Sequence, residues 1–231
     1  MSTNGSRSSG VALVVIAKAP FPGRVKTRLC PPCSLPESAL LAEAALRDTL
    51  AAVAASGARD RQLALDGEPG RWGSSGLRVL PQRGAGLAER LGHALERAGG
   101  PALLIGMDTP QVTAGLLDQA MEALCAPGVD AVLGAARDGG YWAIGMRDPC
   151  KEAFAGVPMS TAVTFAAQRR RLEDLGLRYA QLPALRDVDT IADARAVARA
   201  NPHTRFAGAL RWLGQLEGPT ASAPEPVAAV C

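Results

Sequence analysis

The chain has 231 residues, 48% of them hydrophobic and 20% charged, with 25 glycines and only 4% aromatics. That composition is globular and excludes a disordered, collagen-like or heptad-rod chain, and its longest apolar run, residues 11–17, falls well short of the ~20 residues a membrane-crossing helix needs. With 25 basic and 22 acidic residues the net charge is +3, a mild excess without a basic stripe, which argues against nucleic acid as the main partner.

Residues 11–17 form a continuous β-branched run, the pattern of a strand buried on both faces. A helix is predicted over 36–55, where Leu40, Leu41, Ala44, Ala45, Leu50 and Val53 recur at helical spacing, with Pro36 in the first turn and Ser34 as cap. Short strands follow at 62–65 and 77–80, a helix at 87–98, a strand at 102–106 and a helix at 113–125. Strands at 131–134 and 141–144 lead to a helix at 161–175, a strand at 178–182 and a helix at 191–200. The apolar stretch 206–216 reads either as a packed final helix or as a contact surface. His93 and His203 fall in helix-like contexts. This alternation predicts an α/β fold, a parallel sheet covered on both faces. It is expected to form one domain over 11–216, with residues 1–10 and 217–231 as disordered ends.

The chain has five cysteines and a polar opening segment with no secretory signal pattern, so free thiols and a cytoplasmic location are expected. Cys30 and Cys33 have the spacing of a redox or metal pair. The other cysteines are scattered, which favours two incidental thiols in a proline-rich loop.

In sheets of this class ligands sit beyond the carboxyl ends of the strands, so the loops after each strand carry the information. The first, residues 18–28, holds Lys18, Arg24, Lys26 and Arg28 among two prolines and Gly23. A planar guanidinium fork and a point-charge ammonium together suit a di- or triphosphate, although a solvated basic loop has the same composition. The spacing is neither a Walker loop nor a dinucleotide fingerprint. Asp108 follows the strand at 102–106. It reads as a divalent-metal ligand or, together with Thr109, as a cap of the next helix. Asp138-Gly139-Gly140-Tyr141 reads as a close-approach acceptor wall, or as a hairpin turn. Asp187 and Asp189 lie two apart in an extended segment and share a side, which two carboxylates tolerate when a cation stands between them. Here too capping competes, because Asp189 or Thr190 could cap the helix at 191 with Asp193 in its first turn.

Lys18-Ala-Pro-x-Pro-Gly-x-Val-Lys-Thr-Arg-Leu29, Gln82-Arg-Gly-x-Gly-Leu-x-Glu-Arg-Leu91, Gly106-x-Asp-x-Pro110, Asp138-Gly-Gly-Tyr141, Ser160-Thr161 and Asp187-Val-Asp-Thr190 occur in this order. Over residues 11–200 the set resembles a bacterial glycosyltransferase-A-like family labelled radical-SAM/selenodomain-associated transferase, within the nucleotide-diphosphosugar transferases. It is distantly similar to the guanylyltransferases of phospholactate and molybdenum-cofactor metabolism. The resemblance implies a mixed, mostly parallel sheet with helices on both sides. The chain departs from the family at Met159, where a Trp is expected before Ser160-Thr161.

These readings combine into nucleotidyl transfer onto a small phosphorylated or oxyanion acceptor, with pyrophosphate leaving. Arg24, Lys26 and Arg28 are assigned to the triphosphate and Lys18 to the α-phosphate, while Gln82 and Arg83 reach the base or the phosphates. Lys18, Lys26 and Asp108 are the expected catalytic residues, and Asp108, Asp189 and Asp187 hold Mg²⁺ or Mn²⁺. Asp138, Gly139, Gly140, Tyr141, Ser160 and Thr161 are expected to face the acceptor. Glycosyl transfer from a nucleotide sugar and a non-catalytic nucleotide-binding module are the rivals. The expected partners are a nucleoside triphosphate or nucleotide sugar and a small acceptor, with a homodimer as the candidate assembly and neither nucleic acid nor membrane involved.

Overall fold

A computed structural model describes residues 10–70, 72 and 76–217. The expected disordered ends, apart from Gly10 and Glu217, lie outside the described residues.

Among the described residues seven strands form one sheet: β1 (Ala12–Lys18), β2 (Asp60–Asp66), β3 (Arg78–Pro81), β4 (Ala102–Gly106), β5 (Ala131–Ala136), β6 (Tyr141–Met146) and β7 (Tyr179–Leu185). Their order is β3-β2-β1-β4-β6-β5-β7. All neighbours are parallel except β6, which runs antiparallel to both β4 and β5. The sheet is therefore mixed and mostly parallel.

The apolar run at the start of the chain is a central strand because it has two hydrophobic sides to bury. Leu13, Val15 and Ala17 join one core with residues of α1 (Leu35–Ala55) and α3 (Ala114–Cys125), whereas Ala12 and Val14 join another with α2 (Leu87–Ala98) and α4 (Thr164–Asp174). Period-two alternation thus feeds two helical layers at once. Helix α1 also buries a second side. Leu41, Ala44 and Ala45 pack against α5 (Ile191–Ala200) and α6 (Arg205–Trp212), with Phe206 and Leu210 fully buried. Of the stretch at 206–216, residues 206–212 thus lie in the final helix, packed through Phe206 and Leu210, while Trp212 is exposed.

Local chemistry fixes the ends. Ser34 and Glu37 form a capping box on α1 with proline in the first turn, and Thr190 and Asp193 form another on α5. Thr113 caps α3 by accepting from Leu116 N. His203 sits in the turn between α5 and α6 and not in a helix, because α5 ends at Ala200 and Pro202 follows.

The chain runs outward from β1 through β2 to β3 and then crosses back to β4 on the other side of β1. This reversal of strand order falls between β1 and β4, and in such sheets ligands sit beyond the carboxyl ends of the strands at that position.

Candidate active site

Lys18 ends β1, and its backbone N–H points to Met107 Sδ at 3.3 Å, tying the β1 loop to the β4 loop. The basic loop follows. Lys18, Ala19, Arg24 and Asp66 line a small cavity of about 130 Å³, and the side chains of Lys18, Arg24 and Arg28 are exposed. Lys26 differs from them. Its backbone is left-handed, with φ 49°, which is uncommon without glycine. Its side chain is only 8% exposed, with Nζ 2.7 Å from Asp108 Oδ1 and 3.4 Å from Asp189 Oδ1. The ammonium also donates to the Val188 carbonyl. Arg28 Nη1 lies 3.3 Å from Asp189 Oδ2.

Three loops far apart in sequence, after β1, β4 and β7, thus meet at one point, and the last two are also joined directly. The backbone stitches them together, because Val188 N donates to Asp108 O at 2.9 Å and Gln111 Nε2 to Arg186 O at 2.6 Å. Asp108 caps no helix, since α3 begins at Ala114 under Thr113, and the α5 cap is taken by Thr190 and Asp193. The capping alternatives therefore leave Asp108, Asp187 and Asp189 free for other roles.

Asp187 is half-buried, and its Oδ1 is buried without a partner. Burial first, and then the neighbouring charge of Asp138 together with those of Asp189 and Asp108, pushes its carboxyl up to about 7. The two acids spaced by two residues therefore divide: Asp189 faces Lys26, while Asp187 feels Asp138 more strongly. Because the folded value lies above the ordinary 3.8, the folded state favours the protonated form. The resulting cost is absent below about pH 4 and complete above about pH 7. With metal chelated, Asp187→Asn is expected to raise Tm at pH 8 and to match wild type at pH 3.5. Solvent screening of this half-buried group limits the gain to about 1 kcal/mol, or roughly 2–4 °C. A Tm difference that does not vary with pH would refute the shift.

Asp108, Asp187 and Asp189 would offer carboxylate oxygens, the donors a hard divalent cation takes, and Asp187 Oδ1 is buried without a hydrogen-bond partner. Among the described residues no group of three or more His, Cys, Asp or Glu side chains is placed to hold a metal ion, so any ion held here would take at most two of these carboxylates together with ligand oxygens. Cys30 Sγ lies 3.0 Å from Ser38 Oγ. Burial, reinforced by Glu37 and Cys30, pushes the Cys33 thiol up, as suits a packed, unreactive thiol.

Other candidates are engaged by the fold. The Gln82 amide donates to Ala17 O at 2.8 Å and Ala64 O at 3.0 Å, bridging the ends of β1 and β2. Arg83 is exposed, beside a cavity of about 480 Å³ that is also lined by Gln62, Leu80, His93 and Arg97, between α2 and the β2–β3 face. Asp138-Gly139-Gly140 makes the β5–β6 hairpin turn, with Gly140 N donating to Asp138 Oδ1 at 2.8 Å. What approaches Gly139 closely is backbone: a Cβ there would lie 2.1 Å from Ala162 O. The Tyr141 hydroxyl lies 3.3 Å from Gln168 Oε1 and 3.8 Å from Met159 Sδ, and burial raises its pKa. Ser160 has φ 59°, and the Thr161 hydroxyl lies 3.3 Å from Thr164 Oγ1.

Sequence reasoning gave no role to Asp66, Arg90 or Gln111. Asp66 ends β2 beside the basic cavity and pairs with Arg90 at 2.9 Å, and its place after a strand was the available signal. The amide of Gln111 carries none.

No curated protein matches the chain in sequence. A protein of Desulfovibrio desulfuricans G20 classed with the nucleotide-diphospho-sugar transferases superposes with a TM-score of 0.82 at 28% identity, covering 90% of this chain and 96% of that one. A CMP:2-keto-3-deoxy-manno-octonic acid synthetase complexed with CTP reaches 0.56 at 12% identity, over 83% and 98%. A cytidylyltransferase of Leptospira borgpetersenii reaches 0.53 at 11% identity, over 91% and 97%. The last two share the fold alone, and the fold is that of the nucleotide-diphospho-sugar transferases. The sequence profile of DUF2064, a bacterial family described as uncharacterized, matches residues 40–161, more than half of the 231, and the chain belongs to that family.

Proposed function

We propose that the protein is a divalent-metal-dependent nucleotidyltransferase. An acceptor oxygen attacks the α-phosphorus of a nucleoside triphosphate, a new P–O bond forms, the α–β bridge breaks and pyrophosphate leaves. The observation that carries this reading is the meeting of Lys26 with Asp108 and Asp189 at the carboxyl ends of β1 and β4, beside three exposed cations.

Asp108 and Asp189 would hold Mg²⁺ or Mn²⁺, which when bound neutralises charge on phosphate oxygens. Lys18 and Arg24 bind the polyphosphate from the β1 side and Arg28 from the Asp189 side. They stabilise the negative charge that grows on the leaving pyrophosphate. The Asp138–Gly140 turn bounds the acceptor side, positioned by its contact with Ala162. Catalysis here is mostly positioning and electrostatics.

Glycosyl transfer from a nucleotide sugar is the second reading. The likeness to the D. desulfuricans protein favours it. The four cations between residues 18 and 28 favour the triphosphate, because the group that leaves a nucleotide sugar is a nucleoside diphosphate, with less charge to neutralise than a triphosphate and its leaving pyrophosphate.

Thermal shift separates the two. A ligand that binds only the folded chain raises its Tm, by about 2.7 kcal/mol of stabilisation at a hundredfold excess over Kd. Nucleoside triphosphates with Mg²⁺ are expected to raise Tm by several degrees, and nucleotide sugars are expected to raise it less. Stabilisation by nucleotide sugars alone would overturn nucleotidyl transfer.

A further inference from the structure

We propose that Lys26 is the resident counter-ion of the metal-binding acids, so that divalent cation and nucleotide bind cooperatively. The inference rests on the metal-dependent reading above and adds how the site is kept before substrate arrives.

Lys26 Nζ takes up Asp108 Oδ1 at 2.7 Å, Asp189 Oδ1 at 3.4 Å and the Val188 carbonyl. Those two carboxylates are also the ones a divalent cation needs. An ammonium and a metal ion cannot share them at such distances without strong mutual repulsion, so metal entry requires the ammonium to leave.

The chain builds this arrangement deliberately. Lys26 is left-handed at φ 49°, between buried Val25 and buried Leu29, and Leu29 N donates to Lys26 O at 3.0 Å. The turn holds the side chain inward, whereas Lys18, Arg24 and Arg28 face solvent. Burying the ammonium is tolerable only while oxygens surround it. Its flexible four-carbon stem lets it move, and the anion best placed to receive it is a polyphosphate held by Lys18 and Arg24. Polyphosphate therefore draws Lys26 off the acids, metal takes its place, and each ligand strengthens the other by the same factor.

The test is Mn²⁺ binding to the full chain without nucleotide, read as the loss of the free-ion electron paramagnetic resonance signal. Lys26→Met and Lys26→Gln are expected to bind Mn²⁺ on the order of tenfold more tightly than wild type, and Lys26→Arg is expected to stay weak. In wild type, saturating Mn²⁺ alone should expose the Lys26 amine to an acylating ester, as read by peptide mass spectrometry against exposed Lys18. This second measurement needs no substitution. If neither neutral variant binds Mn²⁺ more tightly, or Lys26 labelling ignores Mn²⁺, the counter-ion role is overturned while metal-dependent transfer stands. If no form binds Mn²⁺ with or without triphosphate, both fail.

Discussion

Replacing Asp108 with asparagine is expected to lower pyrophosphate release, measured against a panel of phosphorylated acceptors, on the order of a hundredfold or more. It is also expected to remove the Mg²⁺-dependent part of the nucleotide-induced thermal shift. The substitution keeps the shape of the side chain and removes one negative charge from the point where β4 ends. Its cost to the fold is small. The backbone link from Val188 N to Asp108 O is untouched, and α3 is capped by Thr113. Lys26 keeps Asp189 and the Val188 carbonyl. The lost ion pair involves a carboxylate 46% exposed, a class worth at most about 1 kcal/mol. A large loss of activity at nearly constant Tm would therefore mark a residue that acts on ligands. Unchanged metal dependence would return Asp108 to the surface chemistry of its loop.

The sequence made some of this visible and hid the rest for physical reasons. Helices α2 and α5 and strand β4 carry strong local patterns and end at caps or glycines, so their limits follow from residues near them in the chain. Asp108, Asp187 and Asp189 stood out because a strand-end carboxylate has few partners within its own segment. The antiparallel direction of β6 was legible only as an Asp-Gly turn signal between two strands. What no local pattern could reveal is the pairing of Lys26 with residues 162 and 163 positions away, which turned one member of a basic loop into the partner of the acids. The same is true of Gln82, whose amide reads as a ligand-binding group until the ends of β1 and β2 are seen to take both of its hydrogens. Side chains that close long-range contacts look in sequence like side chains waiting for a ligand.

Gly139→Ala is expected to cost about 3 kcal/mol or more of stability, roughly 6–12 °C in Tm for a chain of this size. Two effects add. Gly139 has φ +93°, and a Cβ would lie 2.1 Å from Ala162 O and 2.6 Å from its carbon. Neither neighbour can retreat easily. The Gly139 N–H donates to Ala136 O at 3.2 Å, closing the hairpin, and its carbonyl accepts from Phe165 N at 2.8 Å, anchoring the start of α4. Moving the turn breaks one tie or the other. Gly156→Ala separates the two effects: Gly156 has φ +75° with nothing within 4 Å of its Cβ position, so only the left-handed penalty of about 1–2 kcal/mol applies. Urea unfolding of both variants at one temperature provides the comparison. Were Gly139 needed mainly for a ligand to come close, its alanine variant would unfold like Gly156→Ala and lose only acceptor binding. If instead it unfolds much earlier, the glycine serves the join between the hairpin and α4. Any effect on the acceptor side then follows from losing the wall itself.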